Sequence, residues 1–140
     1  MELVSTVRRL TPVIVVERIE PVLDFWRKIG LQAVVEVPDA TADDTRLAFV
    51  ILTNTGVEVM YQTIASVTQD LAAAASVKTA FPSTPQRVTL YLEVDDLDTI
   101  ERQLDGERIV MPRRTTAYGA TEIGFVEPAG NVVIFARQSK

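Results

Sequence analysis

The chain of 140 residues holds no histidine and no cysteine. Without cysteine there is no disulfide framework and no thiolate nucleophile. Without histidine the commonest transition-metal ligand and the usual general base near neutral pH are both missing. Catalytic zinc and non-haem iron sites ordinarily depend on it. Ser-His-Asp and Cys-His constellations are excluded outright. Any metal site has to be built from carboxylates, amides and water, a donor set that favours magnesium or calcium. The six glycines are scattered singly, so no glycine-rich loop is available to cradle a phosphate. Basic residues are outnumbered, 14 Lys and Arg against 19 Asp and Glu, for a formal net charge of −5. A basic footprint for nucleic acid is absent, since Arg8-Arg9 and Arg113-Arg114 are only pairs. No apolar run approaches the roughly 20 residues that cross a bilayer. The opening Met1-Glu2-Leu3-Val4-Ser5-Thr6 lacks the basic-then-apolar pattern of a signal peptide. These absences lead us to expect a soluble, cytoplasmic protein with no membrane or nucleic-acid partner.

What is present is ordinary globular material. Hydrophobic residues make up 47% and charged ones 24%, enough to bury a real core in a single domain. One stretch organises the reading. In Val88-Thr89-Leu90-Tyr91-Leu92-Glu93-Val94, apolar and polar residues alternate as in a half-buried strand. Asp95 and Asp96 follow as an N-cap and first-turn charge for a helix. A related stretch, Thr11-Pro12-Val13-Ile14-Val15-Val16-Glu17, stands 78 residues earlier, with Thr11 matching Thr89. The first strand (11–17) leads into a helix over 19–29. There Pro21 suits the first turn, Val22, Phe25, Trp26 and Ile29 form one apolar face, and Gly30 supplies the stop. Strands follow over 31–37, 46–52 and 57–62, the last two joined by the turn Thr53-Asn54-Thr55-Gly56. Ser66 and Gln69 have capping-box spacing, which suggests a helix over 67–77. Two prolines mark 81–86 as linker. Then come a strand over 88–94, a helix over 97–104, a short strand over 108–111 ending at Pro112, and strands over 121–126 and 131–137. The order is β-α-β-β-β, written twice.

This order and its signatures resemble the vicinal oxygen chelate superfamily of glyoxalases, extradiol dioxygenases and bleomycin-resistance proteins. The resemblance is carried by Val16-Glu17-Arg18-Ile19, by Phe25-Trp26 where the family usually has Phe-Tyr, and by Gly56-Val57-Glu58-Val59-Met60. It continues through Val94-Asp95-Asp96-Leu97-Asp98 and Tyr118-Gly119 to Glu127-Pro128-Ala129-Gly130-Asn131, where the family commonly has Asp-Pro-x-Gly-Asn. It implies an α+β fold of two tandem βαβββ modules, each a curved mixed sheet around a cavity with helices on the convex side. Residues 1–140 form one domain on this reading. Module one spans about 9–63, a linker helix and loop about 64–86, and module two about 87–138. Metal-dependent members carry ligands on the first and last strand of each module. Those positions fall here on Thr11, Met60, Thr89 and Ile134, none a competent ligand for a catalytic divalent metal. The resemblance therefore implies a metal-free member with no cofactor.

Within that geometry, strand alternation decides which side chains face the cavity. The candidate ligand-binding residues are Glu58, Met60, Gln62, Thr89, Tyr91, Glu93, Glu122 and Tyr118, with no catalytic and no metal-binding residue assigned. Glu122 takes cavity parity because Ile123 and Phe125 take the helix-facing one. Such a wall is apolar and aromatic with a few carboxylates, the usual make-up of a small-molecule pocket. Trp26 and Phe25 read as core, and Arg113 and Arg114 as a solvated loop. By resemblance, the expected function is small-molecule binding of the bleomycin-resistance type, with a cationic or donor-rich ligand and pockets shared between two chains of a homodimer. The alternative is a glyoxalase-like lyase or isomerase using a carboxylate base or weakly bound magnesium. Convergence of Glu17, Glu58, Glu93 and Glu122 on one point would favour it.

Overall fold

The computed structural model describes residues 4–70 and 84–139. In chain order the elements are β1 (Val13–Val16), α1 (Glu20–Lys28), β2 (Gln32–Pro38), β3 (Leu47–Asn54), β4 (Val57–Thr63), α2 (Ile64–Asp70), β5 (Thr89–Glu93), α3 (Leu97–Gln103), β6 (Arg108–Thr115), β7 (Ala120–Val126) and β8 (Val132–Gln138). They form two four-stranded sheets of identical plan, ordered β1-β4-β3-β2 and β5-β8-β7-β6. In each, the first strand lies parallel to the last and the remaining pairs are antiparallel. The helix between the first two strands makes the crossover that a parallel pair requires. The repeat extends to a defect: β2 slips register between Ala33 and Val35, and β6 between Ile109 and Met111. An extra residue at that point bends and twists an edge strand.

One side of each sheet is apolar and covered. Ile14, Val16, Val50, Leu52, Val59 and Tyr61 from the first sheet, and Ile123, Phe125, Val133 and Phe135 from the second, join a single buried cluster with helix residues such as Val22, Trp26 and Ile100. Both sheets therefore turn their helix-bearing sides toward a common core and their other sides outward. The two covering helices are started differently. Asp96 caps α3, accepting from the backbone N–H groups of Asp98 and Thr99. No side chain caps α1, which relies on Pro21 in its first turn and a face buried at Val22, Leu23, Phe25 and Trp26.

A buried polar chain crosses the core between modules. Trp26 Nε1 donates to the Tyr61 hydroxyl (2.9 Å), and that hydroxyl donates to Glu127 Oε2 (2.7 Å). Glu127 Oε1 accepts from the Asn131 backbone N–H (2.8 Å), and Asn131 Oδ1 accepts from that of Val88 (2.8 Å). From Trp26 to Asn131 the links are buried, so each partner there matters more than it would at the surface. Burial, with Glu127 beside it, pushes the Tyr61 hydroxyl far above the usual phenol range. Gly130 closes the 127–131 turn at a φ of +98°, a conformation that favours glycine.

Two local expectations are corrected. The helix after the first sheet begins at Ile64, before Ser66. Thr63 is its cap, with Oγ1 accepting from the Ser66 backbone N–H (3.1 Å). The capping-box spacing at Ser66 was thus misleading, and the expected continuation over 71–77 lies outside the described residues. Pro112 does not end β6, which runs on to Thr115. It is tolerated because β6 is an edge strand with a register slip between Met111 and Arg114, where a proline breaks no ladder bond.

Candidate functional site

The outward faces carry the expected residues, and the register places them in matched rows. On the first sheet, Val15, Gln62 and Phe49 are level with Val37; the next row is Val13, Met60, Ile51 and Val35; then come Glu58, Thr53 and Gln32. On the second, Glu93, Ala136, Glu122 and Arg114 share a row; Tyr91, Ile134, Gly124 and Met111 follow; then Thr89, Val132, Val126 and Arg108. Glu58, Met60 and Gln62 therefore lie along one strand of one face. Thr89, Tyr91, Glu93 and Glu122 lie together on the other, and the β6–β7 turn brings Tyr118 to them.

On the first face, Glu58 is held by two donors from the segment before β1. Thr11 Oγ1 donates to Oε1 (2.8 Å) and Arg9 Nη1 to Oε2 (3.0 Å). Met60 sits half-buried beyond it. Gln62 is turned to the chain's own use. Its Nε2 donates to Ser66 Oγ (3.0 Å) and Asp70 Oδ2 (2.9 Å). Those bonds draw α2 over this end of the face, and the neighbouring Val15 is buried.

On the second face the centre is Glu122, a carboxylate only 1% exposed. Its Oε2 accepts from the hydroxyls of Tyr91 (2.6 Å) and Tyr118 (2.5 Å). Its Oε1 accepts from Arg114 Nε (3.3 Å) and Nη2 (3.2 Å). Tyr91 reaches it from two strands away, across β8. The residue of β8 level with Glu122 is Ala136, whose side chain is too short to obstruct the ring. The two hydroxyls and then the guanidinium hold the Glu122 carboxyl below its ordinary range. Reciprocally, the bond to Glu122 holds the Tyr91 hydroxyl well above its ordinary range. The rings themselves stay accessible, Tyr91 at 49% and Tyr118 at 67%.

Arg114 had been expected in a solvated loop. It stands instead on β6, opposite Glu122, while Arg113 points to α3 and pairs with Asp98 and Glu101. The missed signal is one of spacing. Arg114 and Glu122 are equidistant from Tyr118, so a hairpin centred at Tyr118 pairs them. Reading Pro112 as a strand end concealed that hairpin. Arg9 gave no signal, because nothing local ties an extended arm to β4.

The four carboxylates do not meet. Glu58 and Glu122 are engaged by separate donors on separate sheets, Glu17 and Glu93 are exposed, and no three acidic, histidine or cysteine side chains cluster among the described residues.

No protein-family model matches the sequence, and no curated protein matches it either. Solved structures do. A glyoxalase/bleomycin resistance protein/dioxygenase from Nocardioides aligns with 99% of this chain and 87% of its own, at a TM-score of 0.69 and 17% identity. The chain has the glyoxalase/bleomycin-resistance fold. A glyoxalase-related enzyme from Clostridium phytofermentans matches 99% of the chain and 100% of its own, at a TM-score of 0.68 and 12% identity. A bleomycin-binding protein complexed with bleomycin matches 95% and 100%, at a TM-score of 0.60 and 15% identity. Identities this low speak for the architecture alone.

The glyoxalase-type fold raises the question of a metal, and the residues at its usual ligand positions do not fit one. Thr11 spends its hydroxyl on Glu58. Met60 offers only a thioether, Ile134 has no donor atom, and Thr89 brings one neutral hydroxyl. That set lacks the anionic oxygens a hard divalent cation needs. No helix of the described residues is long and apolar enough to cross a membrane.

Proposed function

We propose that this chain binds a small organic molecule on its outward sheet faces and holds it without transforming it, in the manner of sequestration proteins of the bleomycin-resistance type and without a metal or cofactor. One observation carries the reading. The two carboxylates seated within those faces, Glu58 and Glu122, are occupied by neighbouring side chains. What remains for a ligand is half-exposed apolar and aromatic wall: Val13, Met60, Ile134, Tyr91 and Tyr118. A lyase or isomerase using a carboxylate base needs one poised near neutral pH, and Glu122 is displaced the other way.

Each outward face is open on its own. Surface grooves of the chain, such as one beside α3 and one between the 39–41 loop and α2, involve none of Glu58, Met60, Tyr91 or Glu122. The binding form in this reading is a homodimer, in which the first face of one chain closes against the second face of its partner. The ligand is cationic or rich in hydrogen-bond donors.

A thermal-shift screen of aromatic amines, amides and alcohols tests the reading, alongside elemental analysis of protein purified without chelator. A binder raises Tm progressively with concentration, is recovered unchanged by mass spectrometry, and needs no metal. Conversion of the compound, or a stoichiometric divalent ion, overturns the binding-only, metal-free reading. In sedimentation velocity the protein runs as a dimer; a monomer at every concentration removes the shared pocket.

A further inference from the structure

We propose that Tyr91 and Tyr118 form an acceptor-only subsite on the second face, one that selects a ligand by an N–H group and rejects a ligand that offers only a carbonyl. The inference rests on the ligand-binding reading above and adds to it the chemistry of one contact.

A phenol hydroxyl ordinarily both donates and accepts, and so discriminates poorly. Here each hydroxyl has one proton, and both protons are committed to the same atom, Glu122 Oε2, at 2.6 and 2.5 Å. Hydrogen bonds to an ionised acceptor are short and strong, so a ligand carbonyl cannot compete for those protons. Glu122 cannot turn away to release them. Arg114 grips its other oxygen through two nitrogens, and the carboxylate is 1% exposed. Arg114 also balances the carboxylate's charge, so the subsite is not simply an anion waiting for a counter-ion. What faces outward from the exposed rings is oxygen lone pair. The Tyr118 hydroxyl and, less strongly, the Gln138 amide also bear on the Tyr91 hydroxyl, so the two phenol oxygens act as one paired acceptor. A ligand N–H satisfies these oxygens, whereas a ligand acceptor meets lone pair against lone pair and displaces water without replacing its hydrogen bonds. Glu122 is a positioning residue in this account: it sets the direction of two hydrogen bonds it does not itself make to the ligand.

The test uses the intact protein and four fragments that share one ring: benzamide and benzylammonium as donors, acetophenone and benzoate as acceptors. Each is titrated to tens of millimolar while backbone and side-chain resonances of both faces are followed by NMR. Benzamide and benzylammonium shift Tyr91, Tyr118 and Glu122, with affinities roughly tenfold above that of acetophenone. Tyr118→Phe keeps the fold, because the ring is exposed, and cuts that preference to a few-fold. In Glu122→Gln the single amide oxygen stays on the two Arg114 donors and the NH2 turns to the phenols, which frees the hydroxyl protons for the ligand and brings acetophenone level with benzamide, a change in selectivity that mere loosening of the site does not produce. Acetophenone or benzoate binding as tightly as benzamide to the unaltered protein overturns the proposal, and so does a preference that survives Glu122→Gln. Shifts confined to Met60 and Ile51 overturn it while leaving the binding reading intact. An absence of shifts on either face, with every fragment, overturns both.

Discussion

The two modules repeat one plan and diverge row by row. The row Val15-Gln62-Phe49-Val37 of the first sheet corresponds to Glu93-Ala136-Glu122-Arg114 of the second. One is mainly apolar and lies under α2. The other is charged, and no described helix covers it. The difference teaches that coverage decides composition. Where α2 buries the end of a face, a carboxylate would be stranded, and Gln62 is used to fasten the helix. Where the face is open, a carboxylate can be seated if tyrosines and an arginine surround it. The same holds on the core side. Tyr61 of β4 corresponds to Phe135 of β8. The tyrosine has a partner in Glu127, whereas the phenylalanine packs edge-on against Phe125, with ring centres 5.9 Å apart.

The largest effect comes from exchanging that last pair. Tyr61→Phe leaves Trp26 Nε1 and Glu127 Oε2 without their shared partner inside the core, a cost of about 2–4 kcal/mol. Tm falls by roughly 5–12 °C, readable by calorimetry. Phe135→Tyr, the reverse exchange, inserts a hydroxyl into the buried apolar cluster where this ring packs on Phe125, at about 1–3 kcal/mol. A neutral Tyr61→Phe would mean that the polar chain does not tie the modules together. A neutral Phe135→Tyr would mean that the two sites are interchangeable after all.

The second effect separates the faces by pH. Three donors depress the Glu122 carboxyl in the folded chain below its ordinary value of 4.5. A depressed carboxyl adds stability that is complete above the unfolded value and is lost as pH falls through the folded one. The unaltered protein should therefore exceed Glu122→Gln in Tm at neutral pH, and the gap should close under acid conditions. Parallel melting curves from neutral to acid pH decide it. A gap that stays constant with pH would mean that the cluster acts by shape and not by charge.

How much of this was legible in the sequence depended on the range of the interaction. Alternation in Val88 to Val94 and the Asp96 cap are local, and they placed the β5–α3 unit correctly. The Thr11–Thr89 repeat, with the glycines before β4 and β8, conveyed the double βαβββ order. Glu122 was assigned its face by the parity of Ile123 and Phe125. Its bond to Tyr91 was not legible: Tyr91 is 31 residues away, and the contact exists only because β8 brings a small Ala136 between them. Glu127 looked like a turn residue, because its hydrogen bond to Tyr61 spans 66 residues and joins modules whose packing no local pattern encodes. Pro112 misled because a proline's meaning depends on whether its strand lies at an edge, which is a property of the assembled sheet.

The smallest effect concerns the two arginine–carboxylate pairs, one on each face. Arg9 reaches Glu58 from an exposed arm, with side chains 68% and 16% exposed. Arg114 reaches a carboxylate that is 1% exposed. Coulomb attraction is screened in the first case, and holding a long arm in place costs side-chain entropy. Arg9→Ala should therefore shift stability by no more than about 0.5 kcal/mol, while Arg114→Ala, which leaves a sequestered carboxylate with two hydroxyls and no cation, should cost clearly more. Urea denaturation of the two variants side by side measures the contrast, and added salt should erase the Arg9 effect first. Equal losses would show that Glu58 is seated as firmly as Glu122. In that event the first face has its own fixed polar anchor, and the assignment of donor recognition to the second face alone would have to be withdrawn.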